Sequence, residues 1–373
     1  MPRKSVLLAT RPLIPPWDEA SKNFAYFLGR EVREHDLTLL TTEESLSGLP
    51  SSAKQEPVFS SGHFGLRSKF ELLRCLMRSK NAFDITHYLF TPAKLNARMI
   101  KLLAKPARGK TLQTVATLRD DLYSPEELQS LLFADRLVVY TDRTKEKLER
   151  LGFTNVTRIY PGIDLDRYAP KTKDQSLLEQ FGFAASHFLV IYPGEYVRLG
   201  ATDMLTESFI RYFRENPDTD LRFVFACRIK NEADAAKKEE VQKRFEAAGV
   251  LSYVAFSDTI PDMPALYNTA DVVIFPVGDL YGKFDVPLII IEAYACGKPV
   301  ILSDLPEFQE FANDDFCVTI STGSGEKLIE SLAYLKDNPE NRRILGENAR
   351  AFVKDRFDLR NTAKQYEEIY SAL

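Results

Sequence analysis

Both halves of this 373-residue sequence alternate short apolar segments with longer segments of helical periodicity. In the first half, an apolar run at residues 5–10 precedes a helical spacing of large apolar residues at 23–34. The same order returns at residues 188–192 and 201–214. Strands that alternate with helices predict parallel sheets covered by helices. The sequence therefore predicts an α/β protein with two doubly wound domains, and ligands at the carboxyl ends of the strands, in the cleft between the domains.

Two polar stretches interrupt this alternation. Residues 43–60 have neither an apolar run nor a helical period, and we expect an irregular connection there. Residues 171–175 form a second polar stretch and are the predicted linker between the domains. A chain of this length favours two domains of roughly 150–200 residues each, which agrees with a linker at this position.

Composition excludes several classes of protein. No apolar run approaches the roughly 20 residues that a membrane-spanning helix needs. The N-terminus lacks the apolar core of a signal peptide and is predicted to form a first strand. The four cysteines and four histidines are scattered, without the spacing of a disulfide framework or a metal site. We therefore expect a cytoplasmic protein without a metal.

Charge is distributed unevenly along the chain. Residues 1–170 contain 26 Lys and Arg against 20 Asp and Glu, whereas residues 171–373 contain 23 against 33. Residues 61–115 alone contain 11 basic residues and only two acids. Such a segment is either an ordinary solvated surface or a face for an anionic acceptor or an anionic membrane. Nucleic acid is less favoured, because no nucleic-acid-binding module accompanies the charge.

The stretch from 282 to 304 contains the most unusual single residue. Its sequence, GKFDVPLIIIEAYACGKPVILSD, predicts a loop, a short buried helix, a glycine stop and a buried strand. Glu292 directly follows four aliphatic residues. A carboxylate in such surroundings costs free energy unless it is paired or binds a ligand. Glu292 is therefore the first candidate for a functional residue.

Four segments together carry a family resemblance. They are RIYPGIDLDRYAP at 158–170, YPGEYVRLGATDMLTESF at 192–209, FSDTIPDMPALYNTADVVIFP at 256–276 and FDVPLIIIEAYACGKPVILSD at 284–304. They resemble the family 4 retaining glycosyltransferases, also called group 1 glycosyltransferases. That family has the GT-B fold, with two Rossmann-like domains that face a cleft.

The resemblance implies an enzyme that moves a hexose from a nucleotide-sugar to a hydroxyl of a glycan or lipid-linked acceptor, with retention at the anomeric carbon. The family usually needs no metal and no other cofactor. It stabilises the departing diphosphate with basic side chains and helix N-termini. Two alternatives stay open, which are a nucleotide-sugar epimerase and a nucleotide-sugar-binding protein with weak or no catalysis.

The last motif implies several donor contacts. Glu292 occupies the place of the family's acid that binds the ribose hydroxyls. Phe284 stands where the family has its other acid, and the neighbouring Asp285 is expected to replace it as a catalytic residue at the donor sugar. The motif also provides three further expected donor contacts, which are Lys283, Pro287 and Leu288.

The second motif implies the site for the diphosphate. Gly194 is the glycine of the phosphate-binding loop. The places of the family's usual arginine and lysine hold Glu195 and Gly200, and Arg198 between them is the expected substitute. The alternative for each basic residue is a surface charge. Two further candidates follow the strand predicted at 221–226, and they are Arg228 and Lys230.

The first domain is expected to bind the acceptor. Arg119 fills the place of a family histidine, and Asp120 is the expected catalytic carboxylate near the reacting carbon. No dedicated protein base is required, since the family is thought to use the leaving phosphate oxygen to deprotonate the acceptor. His87 is either an acceptor contact or a buried structural histidine. The other expected acceptor contacts are Trp17, Asp18 and Lys22.

The resemblance also implies the domain limits. We expect an acceptor-binding domain at 1–170 and a nucleotide-sugar-binding domain at 176–352. Residues 353–373 are predicted to form a helix that crosses back onto the first domain. The basic segment at 61–115 adds the expectation of peripheral contact with the inner face of the membrane, and we expect no nucleic-acid partner.

Overall fold

The computed structural model of the chain describes residues 2–15, 20–90, 94–258, 260, 262–280 and 282–373. The chain divides into two compact units. The first unit takes its described residues from 1–164, 282–286 and 356–373, and the second from 165–281 and 287–355. The short segment 282–286 thus belongs to the first unit although the residues on both sides of it belong to the second.

A parallel sheet forms the centre of the first unit. Its described strands are β1 (Ser5–Leu13), β2 (Asp36–Thr41), β3 (Ala53–Pro57), β4 (Ile85–Tyr88), β5 (Lys110–Val115), β6 (Arg136–Val139) and β7 (Val156–Arg158). They lie in the order β3-β2-β1-β4-β5-β6-β7. Every neighbouring pair is parallel, with Val6 opposite both Leu37 and Ile85 at the centre. The central strands are apolar because helices cover both faces of such a sheet.

The prediction of an irregular connection over residues 43–60 is wrong at β3. This strand pairs with β2 at the edge of the sheet, and most of its residues are exposed or half-buried. An edge strand needs backbone hydrogen bonds on one side only and no apolar side chains. Its polar sequence, AKQEP, therefore carries no periodic signal.

Helices connect the strands of the first unit. They are α1 (Ala20–Glu31), α2 (Leu66–Arg78), α3 (Lys94–Met99), α4 (Pro125–Leu131) and α5 (Asp142–Arg150), and a π-helical turn at Ile100–Ala104 continues α3. The predicted start of α4 is visible in its cap. The Ser124 hydroxyl accepts from the Glu127 backbone N–H, and the Glu127 carboxylate accepts from the Ser124 backbone N–H. This reciprocal capping satisfies two N–H groups that the first turn leaves open.

The second unit repeats the same design. Its described strands are β8 (Phe188–Tyr192), β9 (Leu221–Ala226), β10 (Val254–Ser257), β11 (Val272–Phe275), β12 (Val300–Ser303) and β13 (Cys317–Ile320). They form a parallel sheet in the order β10-β9-β8-β11-β12-β13. Its helices are α6 (Gln175–Gln180), α7 (Thr202–Glu215), α8 (Glu232–Ala247), α9 (Met263–Thr269), α10 (Leu288–Ala295), α11 (Gly325–Asp337) and α12 (Pro339–Arg356).

The C-terminal helix α13 (Leu359–Ala372) lies in the first unit, where it packs against α1. The backbone N–H groups of Arg33 and Glu34, just beyond α1, donate to the Glu367 carboxylate at 2.5 and 2.7 Å. The His35 ring contacts the Glu367 carbonyl and the Ser371 hydroxyl, each at 3.1 Å. These bonds fix α13 to the segment that follows α1.

Candidate functional site

The strand order of the second unit defines a crevice at the carboxyl edge of its sheet. Strands β9 and β10 lie on one side of β8, and the next strand in sequence, β11, lies on its other side. The loops that leave β8 and β11 therefore run in opposite directions, which opens a binding crevice between them. The backbone N–H of Gly278, after β11, donates to the Leu199 carbonyl, after β8, at 2.8 Å. This bond fixes the two loops to each other beside the crevice.

The loop after β8 is the predicted phosphate-binding loop. A Cβ atom added at Gly194 would lie 2.0 Å from Cζ of the buried Tyr192 ring, so a larger residue would displace that ring. The Thr202 hydroxyl donates to the Tyr196 carbonyl at 2.6 Å, which folds the loop tightly onto the start of α7. The N-cap residue of this helix is Ala201, whose side chain makes no capping hydrogen bond. A helix N-terminus suits an anion, because its first N–H groups have no acceptor within the helix.

The acid in the arginine position of this loop has a basic partner. Glu195 has a side chain only 7% exposed, and its carboxylate forms an ion pair with the Lys230 ammonium. Lys230 follows β9, so the pair joins two neighbouring loops of the same edge. Burial of Glu195 would be unfavourable without such a partner. Arg198 is exposed and Arg228 is half-buried in the same two loops, and both make contacts within the protein.

Glu292 lies in the middle of α10, and its partners are two tyrosines. The Tyr168 hydroxyl donates to one carboxylate oxygen at 3.0 Å, and the Tyr267 hydroxyl donates to the other at 3.1 Å. Burial raises the pKa of Glu292 to about 7, although the two hydroxyls and the charge of Arg167 favour the ionised form. These two hydrogen bonds therefore offset the cost of burying the Glu292 carboxylate among apolar residues. The sequence analysis did not predict either of them.

Both tyrosines do lie in segments that carried the family resemblance. Tyr168 belongs to the motif at 158–170, and Tyr267 belongs to α9 within the motif at 256–276. Their position was therefore visible in the sequence, but their contact with Glu292 was not. Pro287 is buried and precedes the first turn of α10, which the half-buried Leu288 begins.

The end of α10 explains the glycine in this motif. Gly297 has a φ of 69°, a left-handed conformation that L side chains rarely adopt. Its carbonyl oxygen lies 2.1 Å from the place of a Cβ atom on Gly346 of α12, so the two backbones approach closely. The break between α10 and β12 therefore requires glycine at 297 and the absence of a side chain at 346.

Asp285 lies in the first unit, where its carboxylate accepts hydrogen bonds from residues that follow β5 and β6. One oxygen accepts from the Leu118 backbone N–H at 3.1 Å and the other from the Thr144 hydroxyl at 2.8 Å. The Asp285 N–H in turn donates to the Ala116 carbonyl at 2.9 Å. Three hydrogen bonds thus fix the segment 282–286 beside the ends of β5 and β6. The predicted contact of Asp285 with a donor sugar stays a prediction, and the neighbouring Lys283 is half-buried in the same segment.

Burial raises the pKa of Asp285 to about 7 and the Asp120 charge adds to this, while Thr144, the Leu118 N–H and Lys147 oppose it. A carboxyl whose folded-state pKa is raised stabilises the fold while it is protonated and loses that contribution as the pH rises toward 7.

Replacing Asp285 with asparagine should therefore remove a pH dependence. Between pH 4 and pH 7 the unmodified protein should lose about 3 kcal/mol of unfolding free energy relative to Asp285→Asn, because folding raises the pKa from 3.8 to about 7 and each unit within this pH range is worth about 1.4 kcal/mol. Urea unfolding across this range measures the difference. The control is Asp258→Asn, at a carboxylate 62% exposed. If the free energy of unfolding changes by the same amount between pH 4 and pH 7 in the unmodified protein and in Asp285→Asn, the prediction is wrong.

The two other predicted catalytic residues follow β5 and take part in ion pairs. The Arg119 guanidinium donates two hydrogen bonds to the Asp121 carboxylate, at 2.8 and 2.9 Å. The Asp120 carboxylate forms an ion pair with Lys147 of α5. Arg119 and Asp120 keep 33% and 41% of their side chains exposed. Both therefore remain accessible at the carboxyl edge of the first sheet.

The acceptor-contact alternative for His87 is wrong. The residue is completely buried in β4, and its two ring nitrogens lie 2.8 Å from the Tyr370 hydroxyl and 2.7 Å from the Thr114 hydroxyl. Burial lowers its pKa to about 3, so the ring is neutral. His87 therefore ties the first sheet to α13, which is the structural alternative. Lys22 is also largely buried, in α1, while Trp17 and Asp18 lie outside the described residues.

The described residues contain neither a clustered metal-ligand set nor a helix suited to span a membrane. No group of three or more His, Cys, Asp or Glu side chains there is arranged to hold a metal ion. Within the same residues, no helix combines the length and the apolar character needed to cross a bilayer.

The architecture matches solved structures over the whole chain. Alr3699/HepE from Anabaena, solved in complex with UDP and glucose, is 16% identical, with a TM-score of 0.75 and complete coverage of both chains. Sucrose-phosphate synthase from Thermosynechococcus elongatus is 17% identical, with a TM-score of 0.75 and 99% coverage of both chains. These likenesses establish the fold. It is the GT-B fold of glycosyltransferases, as the sequence predicted.

Residues 177–352 match the family model described as glycosyl transferases group 1. The second unit thus belongs to this family, and the assignment made from the sequence motifs is confirmed. The D-inositol 3-phosphate glycosyltransferase of Saccharomonospora viridis is 27% identical over 65% of this chain and 57% of its own. D-inositol 3-phosphate glycosyltransferase 2 of Catenulispora acidiphila is 26% identical over 70% and 63%. The chain therefore spans about six tenths of the length of these relatives.

Proposed function

We propose that the protein is a retaining glycosyltransferase that moves a hexose from a nucleotide-sugar to a hydroxyl of a glycan or lipid-linked acceptor. The family match of the second unit supports a nucleotide-sugar donor, because it includes the phosphate loop and the segment around Glu292. The named relatives act on a phosphorylated inositol. An anionic acceptor would also suit the basic first half of this chain.

The observation that carries the proposal is the carboxyl edge of the second sheet. There the N-terminus of α7 and Arg198 follow β8, which borders the switch point, and Arg228 and Lys230 follow the neighbouring strand β9. N–H groups and basic side chains in that arrangement suit a diphosphate. We propose that Gly194 lets the backbone approach the diphosphate and that Glu292 binds the ribose hydroxyls.

The proposed chemistry needs little from the protein beyond binding and charge stabilisation. The bond between the anomeric carbon and the diphosphate oxygen breaks, and a bond from the acceptor oxygen forms on the same face. The acceptor proton passes to the leaving phosphate oxygen. The basic side chains stabilise the negative charge that develops on the diphosphate. Asp120, Arg119 and Asp285 are the proposed contacts near the reacting carbon, and Lys283 adds positive charge.

A screen of nucleotide-sugars by thermal unfolding tests the donor site. A true donor should raise the melting temperature with the logarithm of its concentration once it exceeds the dissociation constant, since it binds only the folded state. Arg198→Ala should weaken this shift, because a charge-assisted phosphate contact is lost. Arg343→Ala, at an exposed arginine of α12, is the matched control. If no nucleotide-sugar or nucleoside diphosphate shifts the transition, the donor-site assignment fails.

Product analysis then separates the candidate activities. A transferase needs an acceptor for rapid turnover and gives a product with the anomeric configuration of the donor, which NMR measures. Turnover of a nucleotide-sugar alone into its epimer would replace the proposal with an epimerase.

The second candidate is a nucleotide-sugar-binding protein with weak or no catalysis. One observation favours it, namely that Glu195 takes up part of the charge of Lys230 beside the predicted diphosphate site. Binding without either hydrolysis or transfer, across donors that shift the melting temperature, would support that candidate.

A further inference from the structure

Helix α2 has two apolar faces, and only one of them is covered. Leu72, Cys75 and Leu76 are buried in a core cluster of the first unit. On the opposite side, Leu66 and Phe70 are 87% and 66% exposed. The outward apolar stripe consists of Leu66, Phe70 and Met77, spaced by four and seven residues, whereas Leu73 between them is partly buried against the core cluster. This spacing places them along one line of the helix.

Basic side chains border the stripe on both sides. With 100° of rotation per residue, Arg67, Arg74 and Arg78 lie along one side of the stripe, and Lys69 lies along the other. All four are exposed. The one acid in the helix, Glu71, is bonded to Arg67 at 3.2 Å and to the Ser60 backbone N–H at 3.2 Å. Glu71 thus offsets part of the charge of Arg67, while Lys69, Arg74 and Arg78 leave the face with net positive charge.

A second helical segment extends this pattern. The π-helical turn at Ile100–Ala104 packs against α2. In α3 and this turn, Leu95 is 69% exposed, Leu102 is 78% exposed and Leu103 is 45% exposed. Arg98 and Lys101 are exposed between these leucines. Two adjacent segments therefore carry outward leucines together with basic residues.

We propose that this basic apolar surface, formed by the exposed residues of α2 and 94–104, docks on an anionic lipid bilayer. Exposed apolar side chains on neighbouring helices mark an interaction site rather than the scattered surface residues of most proteins. In a bilayer interface the leucines and Phe70 leave water for the boundary between headgroups and acyl chains. Each basic residue near an anionic surface adds electrostatic attraction to the headgroups.

Charge decides between the possible occupants. A second copy of the chain would bring the same cations against Arg74 and Arg78, and the two surfaces would repel. The segment 61–115 carries 11 basic residues against two acids, so its partner should be anionic over a broad area. An anionic bilayer offers that charge and an apolar layer beneath it. The proposal does not depend on the transferase activity.

Cosedimentation of the full chain with vesicles, without nucleotide-sugar, tests the proposal. We expect binding to vesicles of equal parts phosphatidylcholine and phosphatidylglycerol, at least about tenfold weaker binding to phosphatidylcholine alone, and weakening with salt. The double variant Phe70→Glu with Leu102→Glu should lower binding to the mixed vesicles by about tenfold or more, because it removes apolar burial and adds repulsion. Arg74→Glu with Arg78→Glu should do the same through charge alone.

The matched control is Ile344→Glu, at an isoleucine of α12 that is 41% exposed. It changes an exposed apolar side chain in the second unit and should leave vesicle binding unchanged. Circular dichroism should show that all variants stay folded. The proposal is overturned if the unmodified chain ignores anionic vesicles, or if the Phe70 and Leu102 variant binds them equally well. A dimer in solution that this variant dissociates would overturn it in favour of a second copy.

Discussion

Replacing Arg350 with alanine is expected to lower the free energy of unfolding by about 4 kcal/mol. The Arg350 guanidinium, on α12, donates to the carbonyls of Tyr168 at 2.7 Å, Ala295 at 2.5 Å and Leu165 at 3.1 Å. All three carbonyls lie in the second unit. Hydrogen bonds from a charged donor are stronger than neutral ones, and acceptors that lose their partner keep their desolvation cost.

The result should extend to Glu292. Arg350 binds the backbone of Tyr168, whose hydroxyl donates to Glu292, and it binds the end of the helix that carries Glu292. We therefore expect Arg350→Ala to weaken nucleotide-sugar binding even at temperatures where the protein is folded. Urea unfolding measures the stability, and calorimetric titration measures the affinity.

Arg343→Ala provides the comparison on the same helix. Arg343 pairs with Glu340 and Glu347 on the exposed face of α12. Exposed pairs of this kind contribute little, because water screens them. If Arg350→Ala and Arg343→Ala unfold at the same urea concentration, the three carbonyl contacts do not hold the unit together.

Replacing Glu292 with alanine is expected to lower the affinity for the nucleotide-sugar donor by about 100-fold, or about 2.7 kcal/mol. The proposed role of Glu292 is to accept hydrogen bonds from the ribose hydroxyls. Alanine removes both acceptor oxygens, whereas Glu292→Gln keeps one and should lose less. Calorimetric titration with the donor found by the thermal screen gives the affinities.

Tyr267→Phe separates a binding role from a structural one. It removes a hydrogen bond to the carboxylate but leaves the carboxylate in place. If Glu292 binds the donor, Tyr267→Phe should retain most of the affinity that Glu292→Ala loses. Equal donor affinity in the unmodified protein, Glu292→Ala and Tyr267→Phe, with lowered melting temperatures in both variants, would show that Glu292 only stabilises the fold. Glu330→Ala, at an exposed glutamate of α11, serves as a control.

Much of the fold could be predicted because its signals are local. Buried parallel strands such as β8 are continuous apolar runs. Capping residues in the sequence indicate where helices such as α4 begin. The edge strand β3 could not be predicted, since its pairing uses backbone groups that every sequence has. The family motifs also identified the second unit, because they are short and contiguous.

The candidate site was only partly predictable. Its motifs pointed to Gly194, Arg198 and Glu292, and the strand predicted at 221–226 pointed to Lys230, since the ends of parallel strands meet at the same edge. They did not reveal that Glu195 would hold Lys230, because these residues are 35 positions apart. Nor did they show that the His87 ring would form a hydrogen bond with the Tyr370 hydroxyl, which is 283 positions away.

The sequence by itself thus determined the class of fold, the family of the second unit and the residues most in need of a partner. Only the tertiary structure decided which side chains form hydrogen bonds with these residues. Glu292 meets Tyr168 from 124 positions away, and Asp285 meets Thr144 from 141 positions away. The physical reason is that periodicity tells which side of a helix or strand is buried, but a contact between distant segments depends on how whole elements pack.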